Sequence, residues 1–283
     1  MKRIVLALGG NALESATLPP GANSQYQIAR QTAKSIAEFI ACGHELIITH
    51  GNGPQVGRIL QNNPDMPLDV CVAMSQGYIG YQLQQCLQNA VHGKDIKKGV
   101  ATVTTQCLVC ADDPAFENPT KPIGPRDNRR LVPSPVPTRI LEIDIIKTLV
   151  ASGDIVIACG GGGVPVITEN DATKGVEAVI DKDLASAVLA RDLDADMLVI
   201  LTEVPNACLN FGRENETKIG KCTPAKIRKY IAEGHFASGS MLPKIKAALM
   251  FAESGKNRVA VISSLANAID AVGQKVGTII CSK

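Results

Sequence analysis

"SQYQIARQTAKSIAEFIACGHELIITH", residues Ser24 to His50, decides the fold class. Its first part sets Ile28, Ala29, Thr32, Ile36, Phe39 and Ile40 at helical spacing, an apolar stripe on a polar surface. Gly43 stands where a C′ glycine ends a helix. The last six residues, Glu45 to His50, form a short continuous apolar run, the pattern of a strand covered on both faces. A similar run, "RIVLAL" (Arg3 to Leu8), precedes the helix. Strand, helix and strand in succession argue for a parallel pair with a helix packed across it.

The alternation continues along the chain. Further strands are expected at Val100–Gln106, Asp154–Gly160, Asp196–Thr202, Arg258–Ser263 and Gly277–Cys281. Helices are expected at Val70–Val91, Ile140–Ala151, Leu184–Leu193, Pro224–Ala232 and Pro243–Glu253. The fold class is therefore α/β, with a mostly parallel central sheet between helical layers. The Pro-rich stretch Asn118–Pro137 reads as an irregular connection near the middle of the chain.

Composition narrows the function. The 283 residues suit one large α/β domain or two closely packed lobes, with 45% apolar residues to build the core. A net charge of +2 and an aromatic content of 3%, without tryptophan, argue against nucleic-acid binding. The N-terminal apolar run is too short to span a membrane and lacks a signal-peptide cleavage site, which places the protein in the cytoplasm. The nine cysteines, among them Cys42, Cys71, Cys159 and Cys281 in apolar runs, read as reduced and buried. Cys107 and Cys110 form a lone C-x-x-C on a predicted strand, where positions three apart face opposite ways, so the pair reads as structural rather than zinc-binding.

Three glycine clusters follow predicted strands: "LGGNA" (Leu8–Ala12), "THGNGPQVG" (Thr49–Gly57) and "CGGGGVP" (Cys159–Pro165). Glycine allows a backbone to approach an anion closely and turn its N–H groups toward it. Three such clusters at strand ends favour a phosphate site, although no P-loop, G-x-G-x-x-G or protein-kinase signature is present. Lysines complete the pattern. Lys121 lies in "PTKPIGP", Lys182 in "VIDKDLA" and Lys244 in "GSMLPKIKAA". Lys182 is the odd one, since a helix N-terminus welcomes Asp181 and Asp183 but not a cation between them. Phosphoryl transfer would explain it, because its catalysis is mainly positioning and charge neutralisation.

With these motifs in order, the chain resembles the carbamate kinases of the amino acid kinase superfamily. The resemblance rests on "ALGGNAL", "THGNGPQVG", "MPLDVCVAMSQGYIGY", "NPTKPIGP", "RRLVPSPVP", "CGGGGVPV", "GVEAVIDKDLAS", "LVILTEV" and "EGHFASGSMLPKI". It implies a single domain over residues 1–283, built as a three-layer αβα sandwich around a largely parallel eight-stranded sheet. Within it, a lobe of about residues 1–153 would take carbamate or carbamoyl phosphate, and one of about 154–283 the nucleotide. It also implies ATP/ADP with Mg²⁺ held largely by the nucleotide and no protein metal site, a cytoplasmic homodimer, and reversible phosphoryl transfer between ATP and carbamate in arginine or related nitrogen-compound catabolism.

By the same resemblance, Gly9, Gly10, Asn11, Gly51, Asn52 and Gly53 would cradle the phosphoryl group and carbamate. Lys121, Lys182, Asp183 and Lys244 would form the catalytic set, with Asp183 holding Lys182 and Lys244. Gly160, Gly161, Gly162, Gly163, Thr202, Glu203, Val204, Met241 and Leu242 would line the nucleotide site, in a wall running from Glu203 to Phe211. Two departures stand out. The family's lid subdomain between "KPIGP" and the Arg129–Arg130 pair is missing, which leaves open a different small carboxylate acceptor or a catalytically weak nucleotide-binding paralogue. Glu203 also adds a carboxylate near the phosphates, unfavourable unless it faces solvent or pairs with a lysine.

Overall fold

The computed structural model describes residues 1–9, 22–123 and 130–282. Gly10, Asn11 and Arg129 lie outside the described residues. Eight strands form the main sheet: β1 (Arg3–Leu8), β2 (Glu45–His50), β3 (Val100–Thr102), β4 (Ile155–Ile157), β5 (Met197–Thr202), β6 (Lys221–Cys222), β7 (Val259–Ser264) and β8 (Thr278–Cys281). Their order is β6-β8-β7-β5-β1-β2-β4-β3, and every neighbouring pair is parallel except β7–β8. The chain starts in the middle of the sheet, fills one side, and then crosses to β5 on the other flank of β1. Such a switch opens a crevice beyond the carboxyl ends of the strands.

Among the described residues eight α-helices accompany the sheet: α1 (Ala22–Ala41), α2 (Gly53–Asn62), α3 (Leu68–His92), α4 (Ile143–Ala151), α5 (Lys182–Asp192), α6 (Pro224–Ala232), α7 (Met241–Glu253) and α8 (Ala268–Val272). Alternation along β1 separates the two helical layers. Val5 and Ala7 join the core formed with α4, α5 and α7, whereas Ile4, Leu6 and Leu8 join that formed with α1, α3 and α8. Phe251 and Phe39, fully buried one in each layer, contribute roughly 1.5–3 kcal/mol apiece. In α1 the predicted face is buried at Ala29, Thr32, Ile36, Phe39 and Ile40, with Ile28 half-buried. Gly43 takes its place beyond α1 at φ +79°.

Several expectations need correction. The predicted strand Val100–Gln106 is broken: Val100–Thr102 pairs with β4, whereas Gln106–Val109 belongs to a second sheet with Pro137–Ile140, Val164–Glu169 and Ala172–Gly175. Ile140 therefore ends a strand, and α4 starts at Ile143. Gly53 to Gly57 is not an open loop but the start of α2, with Pro54 in its first turn. The Pro-rich connection contains a hairpin, Lys121–Ile123 paired antiparallel with Arg130–Val132. Cys42 is exposed, while Cys71, Cys159 and Cys281 are buried as expected; Cys107 is buried and Cys110 exposed. No described helix is long and apolar enough to cross a membrane.

Candidate active site

A cavity of about 650 Å³ opens at the switch. Gly9 follows β1, Gly51 to Gly53 follow β2, Leu201 to Val204 close and follow β5, and Leu265 follows β7. Residues from the first turns of α2, α5 and α7 line it as well. Neither Asn52 nor Ser240, at the N-caps of α2 and α7, makes a side-chain cap bond. Three helix N-termini meeting at one cavity, two of them without side-chain caps, make an environment that favours an anion.

The charged part of the wall centres on Asp183. One of its oxygens accepts from Lys182 Nζ, and the other from Lys244 Nζ at 2.9 Å. All three side chains are largely withdrawn from water, with exposures of 12% for Lys182, 16% for Lys244 and 3% for Asp183. Burial alone would raise the Asp183 carboxyl, but the two ammonium groups outweigh it and hold the carboxyl below its ordinary value. Burial pushes the Lys182 ammonium down, opposed by Asp183 and reinforced by Lys244. One buried carboxylate thus faces two buried ammonium groups. The unmatched positive charge is stabilised when an anion arrives.

Asp181 builds the start of α5. Its Oδ1 accepts from the Asp183 amide at 2.9 Å and the Leu184 amide at 3.5 Å, an N-cap. Its Oδ2 accepts from Lys121 Nζ at 3.1 Å. A buried hydroxyl chain supports the same turn, in which Ser186 Oγ donates to the Lys182 carbonyl at 2.6 Å and lies 2.6 Å from Thr49 Oγ1.

The Gly160–Gly163 turn meets the cavity only through Gly161; Gly160, Gly162 and Gly163 buttress it from below. A Cβ on Gly160 would lie 2.6 Å from His50 Nε2, and one on Gly162 would lie 2.5 Å from the Ile180 carbonyl oxygen. Gly161 packs on the Asn52 amide, which donates to Ser75 Oγ at 2.8 Å. His50 lies under the Gly51 loop with Nδ1 2.8 Å from the Gly51 carbonyl. Burial lowers its imidazole to about 4, and Lys182 adds to that push against the Gly51 carbonyl. The ring is neutral at pH 7, with Nδ1–H donating to the carbonyl.

The apolar part of the wall comprises Val204, Cys208, Phe211, Phe236, Met241 and Leu265. Thr202 and Glu203 also line the cavity, Glu203 exposed to solvent, whereas Leu242 packs against the core instead. Sequence reasoning had not singled out His50, His235 or Phe236, although each lies within a quoted motif. It placed Asp181 at a helix start that welcomes an acid, but not as a partner of Lys121. Among the described residues no group of three or more potential metal ligands occurs, and the oxygens of Asp181 and Asp183 are engaged by lysines and by α5 amides.

The model of the amino acid kinase family matches residues 2–263. The chain belongs to the amino acid kinase family. Among curated relatives of this amino acid kinase, the carbamate kinase of Pyrococcus horikoshii is 47% identical over 98% of each chain. The carbamate kinase-like protein YqeA of Escherichia coli is 46% identical over 99% of each. A carbamate kinase from Giardia lamblia bound to AMP-PNP superposes with a TM-score of 0.95 at 40% identity, covering 100% of this chain and 99% of that one. The expected α/β sandwich is thus the fold found. The YqeA alignment spans 312 positions against 283 residues here, so the relative carries residues that this chain lacks.

Proposed function

We propose that the protein is a carbamate kinase, catalysing ATP + carbamate ⇌ ADP + carbamoyl phosphate. The observation that carries this reading is the Lys182–Asp183–Lys244 cluster at a helix N-terminus, in a cavity that also has an apolar wall. The acceptor chemistry agrees with it. A carbamate oxygen is already anionic, so its attack on phosphorus needs no general base, and both site aspartates are occupied in holding lysines. The protein's task reduces to aligning two anions and neutralising the charge that spreads over the moving phosphoryl group.

Lys182 and Lys244 would bind oxygens of the transferring group, with Asp183 fixing both ammonium positions. Lys121 would hold the small substrate, and amides of the Gly51–Gly53 turn would complete its cradle, together with Gly9, Gly10 and Asn11. The N-terminal part would serve the small substrate, and the wall from Thr202 to Phe211, with Met241, the adenine nucleotide. Mg²⁺ would enter with the nucleotide phosphates, whose charge it offsets. We place the enzyme in the cytoplasm, where nine free and mostly buried thiols are at home.

A homodimer is part of the proposal. Val70, Met74, Tyr78 and Tyr81 make an exposed stripe on α3, which has no charged residue from Val70 to Val91. Such a face can meet its own copy without opposing like charges. A single-chain mass in analytical ultracentrifugation would sink this part.

ATP formation from ADP and carbamoyl phosphate tests the activity. Lys182→Ala should lower the rate at least about a hundredfold, the scale of one lost preorganised charge. Near-normal turnover would remove Lys182 from the mechanism. The short Lys121–Val132 hairpin favours a second reading, in which another small carboxylate is the acceptor. Turnover with acetyl phosphate exceeding that with carbamoyl phosphate would select it.

A further inference from the structure

We propose that Asp181 is a positioning residue for the small-substrate side of the reaction, acting through Lys121 and not merely as a helix cap. The inference deepens the carbamate kinase reading and rests on it. Lys121 occupies the edge strand of a hairpin whose two strands have three residues each. Its side chain is 40% exposed on a flexible stem, and among the described residues its ammonium group has one ion-pair partner, Asp181. Asp181 is 14% exposed and is itself immobilised, because Oδ1 already accepts from the first-turn amides of α5.

The two carboxylate oxygens thus divide the work. Oδ1 fixes the helix turn that carries Lys182 and Asp183, and Oδ2 fixes the lysine that reaches in from the hairpin. A second tie runs in parallel. Glu177 accepts from Arg130 on the other hairpin strand at 2.8 Å, while its second oxygen accepts from the Leu68 amide at the start of α3. The Val179 amide donates to the Pro133 carbonyl at 3.0 Å. Residues Glu177 to Asp181 therefore strap the short hairpin to the frame, and Asp181 is the point on that strap where Lys121 is aimed into the cavity. Half-exposed ion pairs contribute little to stability. Geometry is where this one would be felt, since small misplacements of a reacting group cost rate steeply.

Asp181→Asn separates the two tasks, because the amide oxygen can still cap α5 while the charge that holds Lys121 is gone. Turnover of carbamoyl phosphate with ADP should then fall about tenfold, with KM for ADP within about twofold and the melting temperature within about 2 °C of the parent. In a Lys121→Ala background the same change should cost less than about twofold. An equal loss in both backgrounds, or unchanged or faster turnover in Asp181→Asn alone, overturns the proposal.

A readout that does not depend on activity separates it from the function assigned above. In protein reductively methylated with ¹³C, the Lys121 dimethylamino signal, assigned by its loss in Lys121→Arg, should stand apart in the parent and move to the free-lysine position in Asp181→Asn. That shift in a protein without carbamate kinase turnover supports the positioning and refutes the function. Normal turnover with no shift supports the function and refutes the positioning.

Discussion

The glycine turn after β2 and the one after β4 look alike in sequence, yet they do different work. Gly51 and Gly53 face the cavity, and a Cβ at Gly51 would reach only ordinary contact, 3.5 Å from the Lys182 stem. Gly160, Gly161 and Gly162 instead let the chain pass His50, Asn52 and Ile180 at 2.6, 2.1 and 2.5 Å from where a Cβ would lie, distances that a side chain would forbid. One turn leaves room for a ligand and the other leaves room for the protein. A run of glycines at a strand end therefore marks close approach, without saying what approaches.

The sharpest way to break this contrast is Gly162→Ala. A Cβ there meets the Ile180 backbone at 2.5 Å, and the residue sits at φ +99°. The expected loss is about 3 kcal/mol, a melting-temperature drop of about 6–12 °C, with activity falling too because Ile180 leads directly into Asp181. A fully stable variant would mean that the buttress is soft.

The buttress should next reveal itself through pH. His50 titrates at about 4 in the folded protein against 6.5 ordinarily, so the unfolded chain binds the extra proton between those values. Stability should fall by up to about 3 kcal/mol as pH drops from 6.5 to 4, and not further from this group below 4. His44 is shifted in the same direction, whereas Asp183, held below 3.8, loses its contribution only in stronger acid. Chemical denaturation across that range should give a visibly flatter profile for His50→Gln than for the parent; parallel profiles would exclude His50 as the source.

The smallest effect on stability belongs to Gly51→Ala, expected within about 0.5 kcal/mol of the parent. Its activity should nevertheless drop severalfold, since the new methyl group crowds the approach to Lys182. A loss of stability without loss of activity would reverse the roles assigned to the two turns.

What the sequence revealed follows the same division. β1 and β2 were legible to the residue because each is a continuous apolar run buried on both faces. α1 was legible from its period and the Gly43 stop, and α6 was expected at Pro224–Ala232, where it lies. The second sheet was not, because Ala172–Gly175 is almost wholly exposed and Pro137 and Pro165 argue locally against strands. α2 was hidden behind Gly53, Pro54 and Gly57, residues of low helix propensity, although Pro54 was a usable start signal. Lys121, Lys182 and Lys244 stood out as lysines at loop or helix starts where a solvated side chain had little reason to be, whereas Asp183 entered only through the family resemblance. His50 and the second role of Asp181 did not, because each depends on a partner distant in sequence or hidden in a fold that only the tertiary structure assembles.

The central position of β1 has a consequence for how the chain is made. On one side it pairs with β2, complete by His50, and on the other with β5, which begins at Met197. A ribosome emitting this chain N-terminus first holds β1 with one edge unsatisfied while well over half of the protein is still to come. That open edge is apolar and almost fully buried in the finished molecule. That edge is open to foreign strands until β5 emerges, which makes the crevice, formed at that same seam, a late feature to be completed.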